Sequence, residues 1–170
     1  MDENVANPVK RGGLITYVNN NITNETSLYT SNPQFLVTIT GSLVCINIYL
    51  PQQNLFDNGV YSESISKIIG VLEQLGDSYA YILVGDFNSN GPNQVPFRQL
   101  IETMDLEDWS ESISYTYSQN TRGGLCATKL DHVLTKNFPE NMLKTCNIDQ
   151  TLITRGGHVI IRTEAMSPNT

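Results

Sequence analysis

The sequence predicts an α/β (α+β) domain in which two β-sheets face each other with helices packed outside. Three observations lead there. Short apolar runs of strand length recur along the chain: Leu14 to Val18, Phe35 to Ile39, Leu43 to Leu50 and Tyr79 to Val84, then Ser114 to Tyr117, Lys129 to Leu134 and His158 to Arg162. Helical spacing is confined to two segments between them. Strands also follow one another without an intervening helix too often for strict βαβ alternation, which favours a two-sheet sandwich over a doubly wound sheet.

Taken in order, Leu14 to Val18 follows Gly12-Gly13 and is closed by Asn19-Asn20-Asn21, a turn signal because Asn tolerates left-handed backbone geometry. Phe35 to Ile39 and Leu43 to Leu50 flank Thr40-Gly41-Ser42 and predict a hairpin. The second strand is almost wholly apolar, a pattern expected of burial on both faces. Tyr61, Ile65, Ile68, Ile69, Leu72 and Leu75 recur at helical spacing, with Gly76 as the stop. Pro96 opens a shorter helix with Phe97, Leu100, Ile101 and Met104 on one face. No repeat or internal linker interrupts this order. A single domain over 11–165 is expected, with loose ends at 1–10 and 166–170.

Composition narrows the function classes. The chain has 170 residues, 39% of them hydrophobic and 16% charged, as in globular proteins. No apolar run approaches the ~20 residues needed to span a bilayer. Met1-Asp2-Glu3-Asn4 lacks the basic-then-apolar pattern of a signal peptide, so the sequons at Asn21 and Asn24 are expected to be chance matches. Cys45, Cys126 and Cys146 are odd in number and form no Cys-x-x-Cys pair, which points to a reducing compartment, nucleus or cytoplasm. The net charge is −7. Nucleic-acid affinity depends on Lys and Arg neutralising phosphates, and here they form no stripe, so binding is expected to be weak at best. The acidic run Glu102, Asp105, Glu107, Asp108 and Glu111 is expected to be a solvated helix face and its exit loop.

The segment with most chemical content is Tyr79 to Asn88, where a hydrophobic strand runs into Gly85-Asp86-Phe87-Asn88. It presents a carboxylate and a carboxamide two residues apart on the same side. Asp86 can accept a proton from water, and Asn88 can donate to a phosphoryl oxygen. The plainer alternative is a turn in which both cap backbone groups. Three more strand ends carry polar groups: Tyr49 in Asn47 to Pro51, Asp131 in Leu130 to Leu134, and His158 in Gly157 to Ile161. Taken singly, Tyr49 reads as a strand aromatic, His132 as an edge residue and His158 as a turn residue.

Together these segments resemble the endonuclease/exonuclease/phosphatase superfamily, which includes apurinic endonucleases and the endonuclease domains of non-LTR retrotransposons. The resemblance begins near Arg11-Gly12-Gly13-Leu14-Ile15 and passes through Asn47 to Pro51, Gly85 to Asn88, Ser114 to Tyr117 and Leu130 to Leu134. It ends at His158. It implies that Asp86 and Asn88 handle the attacking water and the phosphate, that Tyr49 supports the phosphate, and that Asp131 pairs with His158.

The sequence also departs from the family pattern. The family's leading strands, with an Asn and a Glu near the divalent metal, have no counterpart here, and the family's closing Ser-Asp-His stands as Gly156-Gly157-His158. Glycine at 157 supplies no carboxylate, so no metal is expected. Three readings remain. The first is a catalytically inactive, retrotransposon-derived domain that acts in protein interaction or dimerisation, a protein partner or second copy covering the surface left by the absent strands. The second is a Mg²⁺- or Mn²⁺-dependent endonuclease whose ligands come from a partner or from a residue such as Asp149. The third holds phosphate or nucleic acid without cutting it.

Overall fold

A computed structural model of the chain describes residues 13–19, 21, 25–52, 59–90, 94–139, 143–153 and 157–166. The loose ends expected at 1–10 and 166–170 lie outside these residues, apart from Met166; so do Arg11, Gly12, Asn20, Gly156 and, within the two sequons, Ile22, Thr23 and Asn24.

The hairpin expected around Gly41 forms: β2 (Phe35–Thr40) pairs antiparallel with β3 (Leu43–Tyr49). Gly41 takes the turn with φ +56°, a conformation that favours glycine. An additional strand, β1 (Thr26–Ser31), extends the hairpin at its outer edge. The chain then crosses over through α1 (Val60–Leu75) and returns as β4 (Ala80–Asp86), parallel to β3. A parallel pair needs such a crossover because its strands cannot be joined by a tight turn. Gly76 ends α1 with φ +75°, and its N–H bonds the Leu72 carbonyl.

After α2 (Val95–Met104) come a two-residue β5 (Glu107–Asp108) and a hairpin, β6 (Tyr117–Thr121) with β7 (Gly124–Thr128). The chain continues into β8 (Asp131–Lys136) and a long hairpin of β9 (Leu143–Ile153) with β10 (Val159–Met166). The main sheet is six-stranded and mixed, in the order β1-β2-β3-β4-β8-β5.

Alternation along the strands decides the layers. Val44, Ile46, Ile48, Tyr81, Leu83 and Leu134 face one side and are buried against Ile65, Ile68 and Leu72 of α1 and Phe97 and Leu100 of α2. Each such side chain contributes ~1.5–3 kcal/mol by leaving water. The other face presents Ile82, Val84 and Val133 to Val159 and Ile161 of β10, across a cavity of about 390 Å³. Helices on one side and a strand pair on the other make the α+β sandwich that the sequence predicts.

Three strand expectations change. Leu14 to Val18 forms no strand; it is held instead by the Asn47 side chain, whose amide donates to the Ile15 carbonyl at 2.8 Å. The strand expected at Ser114 to Tyr117 begins only at Tyr117, because Thr116 is used as a joint: its N–H goes to Thr128 and its carbonyl accepts from Val159. Strand β3 is fully buried on one face only, since Leu43, Cys45 and Asn47 are half-buried. Among the described residues no helix is long and apolar enough to cross a membrane. All three cysteines are free.

Candidate functional site

Strand register brings the predicted residues together. Tyr49 on β3 stands opposite Asp86 on β4, and Asp86 stands opposite Asp131 on β8. Directly opposed residues share a face, so three adjacent strand ends present these side chains side by side. Gly85 permits the close approach: its φ is +136°, and a Cβ there would lie 2.0 Å from the Ile48 carbonyl oxygen. His158 arrives from the start of β10 through a bridge to Tyr117. The result is a cleft of about 270 Å³ lined by Tyr49, Gln52, Asp86, Asn88, Tyr117, Leu130 and His158. Asp131 stands behind the histidine, with its Oδ2 2.9 Å from His158 Nδ1.

Asn88 reaches the cleft by a different route from the one strand alternation suggests. It has left the strand and adopts φ +47°. Its backbone N–H is bound by Asp86 Oδ1 at 2.8 Å, and its amide nitrogen donates to the Leu50 carbonyl at 2.7 Å. The capping role considered as the plainer alternative is therefore present, and the same residues line the cleft. Below them Tyr61 donates to the Phe87 carbonyl at 2.9 Å, which fixes the exit of β4 to α1.

Charge coupling makes the cleft an acid–base site. Burial pushes the Asp86 carboxyl up to about 6; the Asn88 N–H opposes this and repulsion from Asp131 adds to it. The hydrogen bond that His158 donates to Asp131 raises the imidazole above its ordinary range, partial burial lowers it, and the Asp131 and Asp86 charges raise it further. His158 Nδ1 is committed to Asp131, so Nε2 faces Asp86 at 3.8 Å. A carboxyl raised to about 6 and an imidazole raised above its ordinary range thus sit beside a carboxamide and two phenols. Such a set can hold a phosphoryl oxygen and take a proton from water.

Thr116 is one contributor not singled out from sequence: its Oγ1 accepts the N–H groups of both Leu130 and Asp131 at 2.9 Å and sets the carboxylate in place. Tyr117 is another, its ring centroid 4.9 Å from that of His158. Tyr117 lay inside a resembling segment, but no periodicity marked it. His132 overturns its expectation as an edge residue: it is 1% exposed, with Nδ1 3.0 Å from Asp108 Oδ2 and Nε2 3.0 Å from the Ser89 carbonyl. Asp108 correspondingly leaves the solvated acidic run, while Glu102, Asp105, Glu107 and Glu111 are exposed as expected.

A Mg²⁺-type cation needs several oxygen ligands. Among the described residues, no group of three or more His, Cys, Asp or Glu is placed to hold one. Asp149 lies opposite Ile160 in the β9–β10 pairing and does not line the cleft. Gly157 has φ +88°, and a Cβ there would lie 2.4 Å from the Ser118 carbonyl oxygen. The backbone has closed around the glycine, so position 157 offers no room for a side-chain ligand.

No protein-family model matches the sequence, and no curated protein matches it. Solved structures do. The endonuclease domain of TRAS1, a telomere-specific non-LTR retrotransposon, superposes with a TM-score of 0.67 at 13% identity, covering 85% of this chain and 69% of that one. The Neisseria 3′ phosphatase NExo, bound to a product DNA hairpin, gives 0.60 at 14%, covering 84% and 70%. An AP endonuclease from Archaeoglobus fulgidus gives 0.60 at 15%, covering 78% of this chain and 65% of its own length. All three are endonuclease/exonuclease/phosphatase proteins, and the chain has the fold of that superfamily.

Proposed function

We propose that this domain keeps the water- and phosphate-handling side of a phosphodiesterase site, does not complete a metal site by itself, and works by binding rather than cleavage. One observation carries the reading. Tyr49, Asp86, Asn88 and His158 converge on one cleft with Asp131 behind, while Gly157 occupies a position that admits no side chain. Without a cation to stabilise charge on phosphoryl oxygens, the rate falls by several orders of magnitude. The binding partner is a protein or a second copy of the chain, seated over the apolar cavity between Val84, Val133 and Ile161. Any hold on phosphate or nucleic acid is weak, given the net charge of −7. The likeness to the TRAS1 domain supports a retrotransposon origin.

The test is incubation of the chain with abasic and plasmid DNA in Mg²⁺ or Mn²⁺, alongside calorimetry for metal binding and light scattering for oligomeric state. The expected result is no cleavage over hours, no metal uptake, and association with itself or a partner. Metal-dependent cleavage abolished by Asp86→Ala would overturn the reading in favour of an endonuclease completed by ligands from elsewhere. The near-neutral Asp86 carboxyl is what favours that second reading. A stable monomer that binds no protein would remove the interaction role.

A further inference from the structure

We propose that His132 is held as a buried imidazolium and is a positioning residue for the cleft, tying the loop that carries Asn88 to the strand that carries Asp131. The argument rests on which atoms can donate. A backbone carbonyl only accepts, so the contact of His132 Nε2 with the Ser89 carbonyl at 3.0 Å requires a proton on Nε2. The contact of Nδ1 with Asp108 Oδ2, also at 3.0 Å, requires either a second ring proton or a protonated Asp108.

The surroundings of Asp108 decide between these. Its Oδ1 accepts the Ser110 N–H at 2.9 Å and the Ser110 hydroxyl at 2.5 Å; its Oδ2 also faces the Lys129 ammonium at 3.2 Å. The Ser110 hydroxyl is free to donate there because its oxygen accepts the Val133 N–H. All these contacts of Asp108 are with donors, so the carboxylate is ionised and the imidazole carries both protons. Burial by itself would raise the Asp108 carboxyl, but the bonds from His132 and Ser110 and the His132 and Lys129 charges outweigh it and hold the group at about 2.

The other groups around the ring fit a cation. Phe97 of α2 lies 4.6 Å and Phe87 5.8 Å from it, centroid to centroid, and aromatic rings attract cations. Lys129 is also satisfied by the Ser110 carbonyl at 2.6 Å. From β4, the Asp86 carboxylate is near enough to be favoured by the His132 charge.

The consequence is mechanical. Ser89 follows Asn88 directly, and His132 follows Asp131 directly. One ring therefore joins the loop after β4 to β8 on the side of the sheet opposite the cleft. Replacing that ring with an apolar one would leave the Ser89 carbonyl and Asp108 without their partner, and the loop would lose its fixed height over Leu50.

The inference rests on the cleft reading only for what Asn88 does there, and its test needs no ligand. The chain has 2 histidines, so ¹⁵N–¹H correlation of the full chain resolves both rings. The expected result is two protonated ring nitrogens on His132 in the native chain. A neutral tautomer at pH 7 would overturn the imidazolium. Hydrogen exchange in the same sample tests the positioning: the His132 ring protons and the Asn88 amide should share one opening rate. An Asn88 amide that opens more than tenfold faster would overturn the clamp. Asp108→Asn, which exchanges an acceptor for a carboxamide, should neutralise His132 and speed Asn88 exchange about tenfold; unchanged Asn88 exchange would also overturn it. Failure of the chain to bind inorganic phosphate would count against the cleft reading alone and leave the proton count standing.

Discussion

Strand β8 carries two Asp–His pairs back to back, and they behave in opposite ways. Asp131 faces the cleft and bonds His158; His132, the next residue, faces the helix layer and bonds Asp108. In the cleft, burial lifts Asp86 to about 6 against the single opposing bond from the Asn88 N–H, and His158 is raised by the carboxylates beside it. At the second pair, Ser110, Lys129 and His132 all donate to Asp108 and the carboxyl is held at about 2. The same residue pair serves as a proton exchanger where few donors meet the neighbouring carboxyl and as a fixed ion pair where donors surround it.

This contrast can be broken most severely from the core side. His132→Ala leaves Asp108 partly buried without its ring partner and removes the bond from the ring to the Ser89 carbonyl, and should cost roughly 3–5 kcal/mol of unfolding free energy in urea titrations. The pH dependence of the parent has the matching sign. The folded value of Asp108 lies below its unfolded value, so the pair's stabilisation is present above about pH 4 and is lost as pH falls toward 2. A smaller effect of opposite sign is expected in the cleft. The Asp86 value of about 6 lies above the unfolded one, so stability is lost as pH rises from about 4 to about 6 and the penalty stays constant above that. After discounting for solvent screening, Asp86→Asn should therefore stabilise the fold by about 1 kcal/mol at pH 7, and the gain should vanish below about pH 4. The smallest change in stability, within about 1 kcal/mol, is expected for Asp131→Asn. Its readout is His158, whose titration midpoint should drop toward the ordinary imidazole range when followed by NMR.

The cleft was more legible in the sequence than the core pair that supports it. Tyr49, Asp86, Asn88, Asp131 and His158 sit at ends of apolar runs, and strand ends are marked by local pattern. The α1 stripe from Tyr61 to Leu75 and the hairpin at Gly41 were legible for the same reason. His132 was misplaced because alternation along one strand does not say which face is covered, and because its partner Asp108 lies in a run of exposed acids. Strand β5, which carries Asp108, is two residues long and leaves no periodic trace. Strands β1 and β7 were missed because their side chains are largely exposed and polar or small, so no apolar run announces them. Gly157 was read as a lost ligand; that its backbone no longer admits a side chain depends on Ser118, distant in sequence.

Thr116 acquires a wider meaning from this two-sided strand. A slip of one residue along β8 would turn Asp131 inward and His132 outward, exchanging the exchanger with the clamp and disabling both. The Thr116 hydroxyl, bound to the N–H groups of two consecutive residues, acts as a peg that lets the strand thread in only one phase. The strand thus carries two messages in one line of text, and the peg tells the fold where to begin reading.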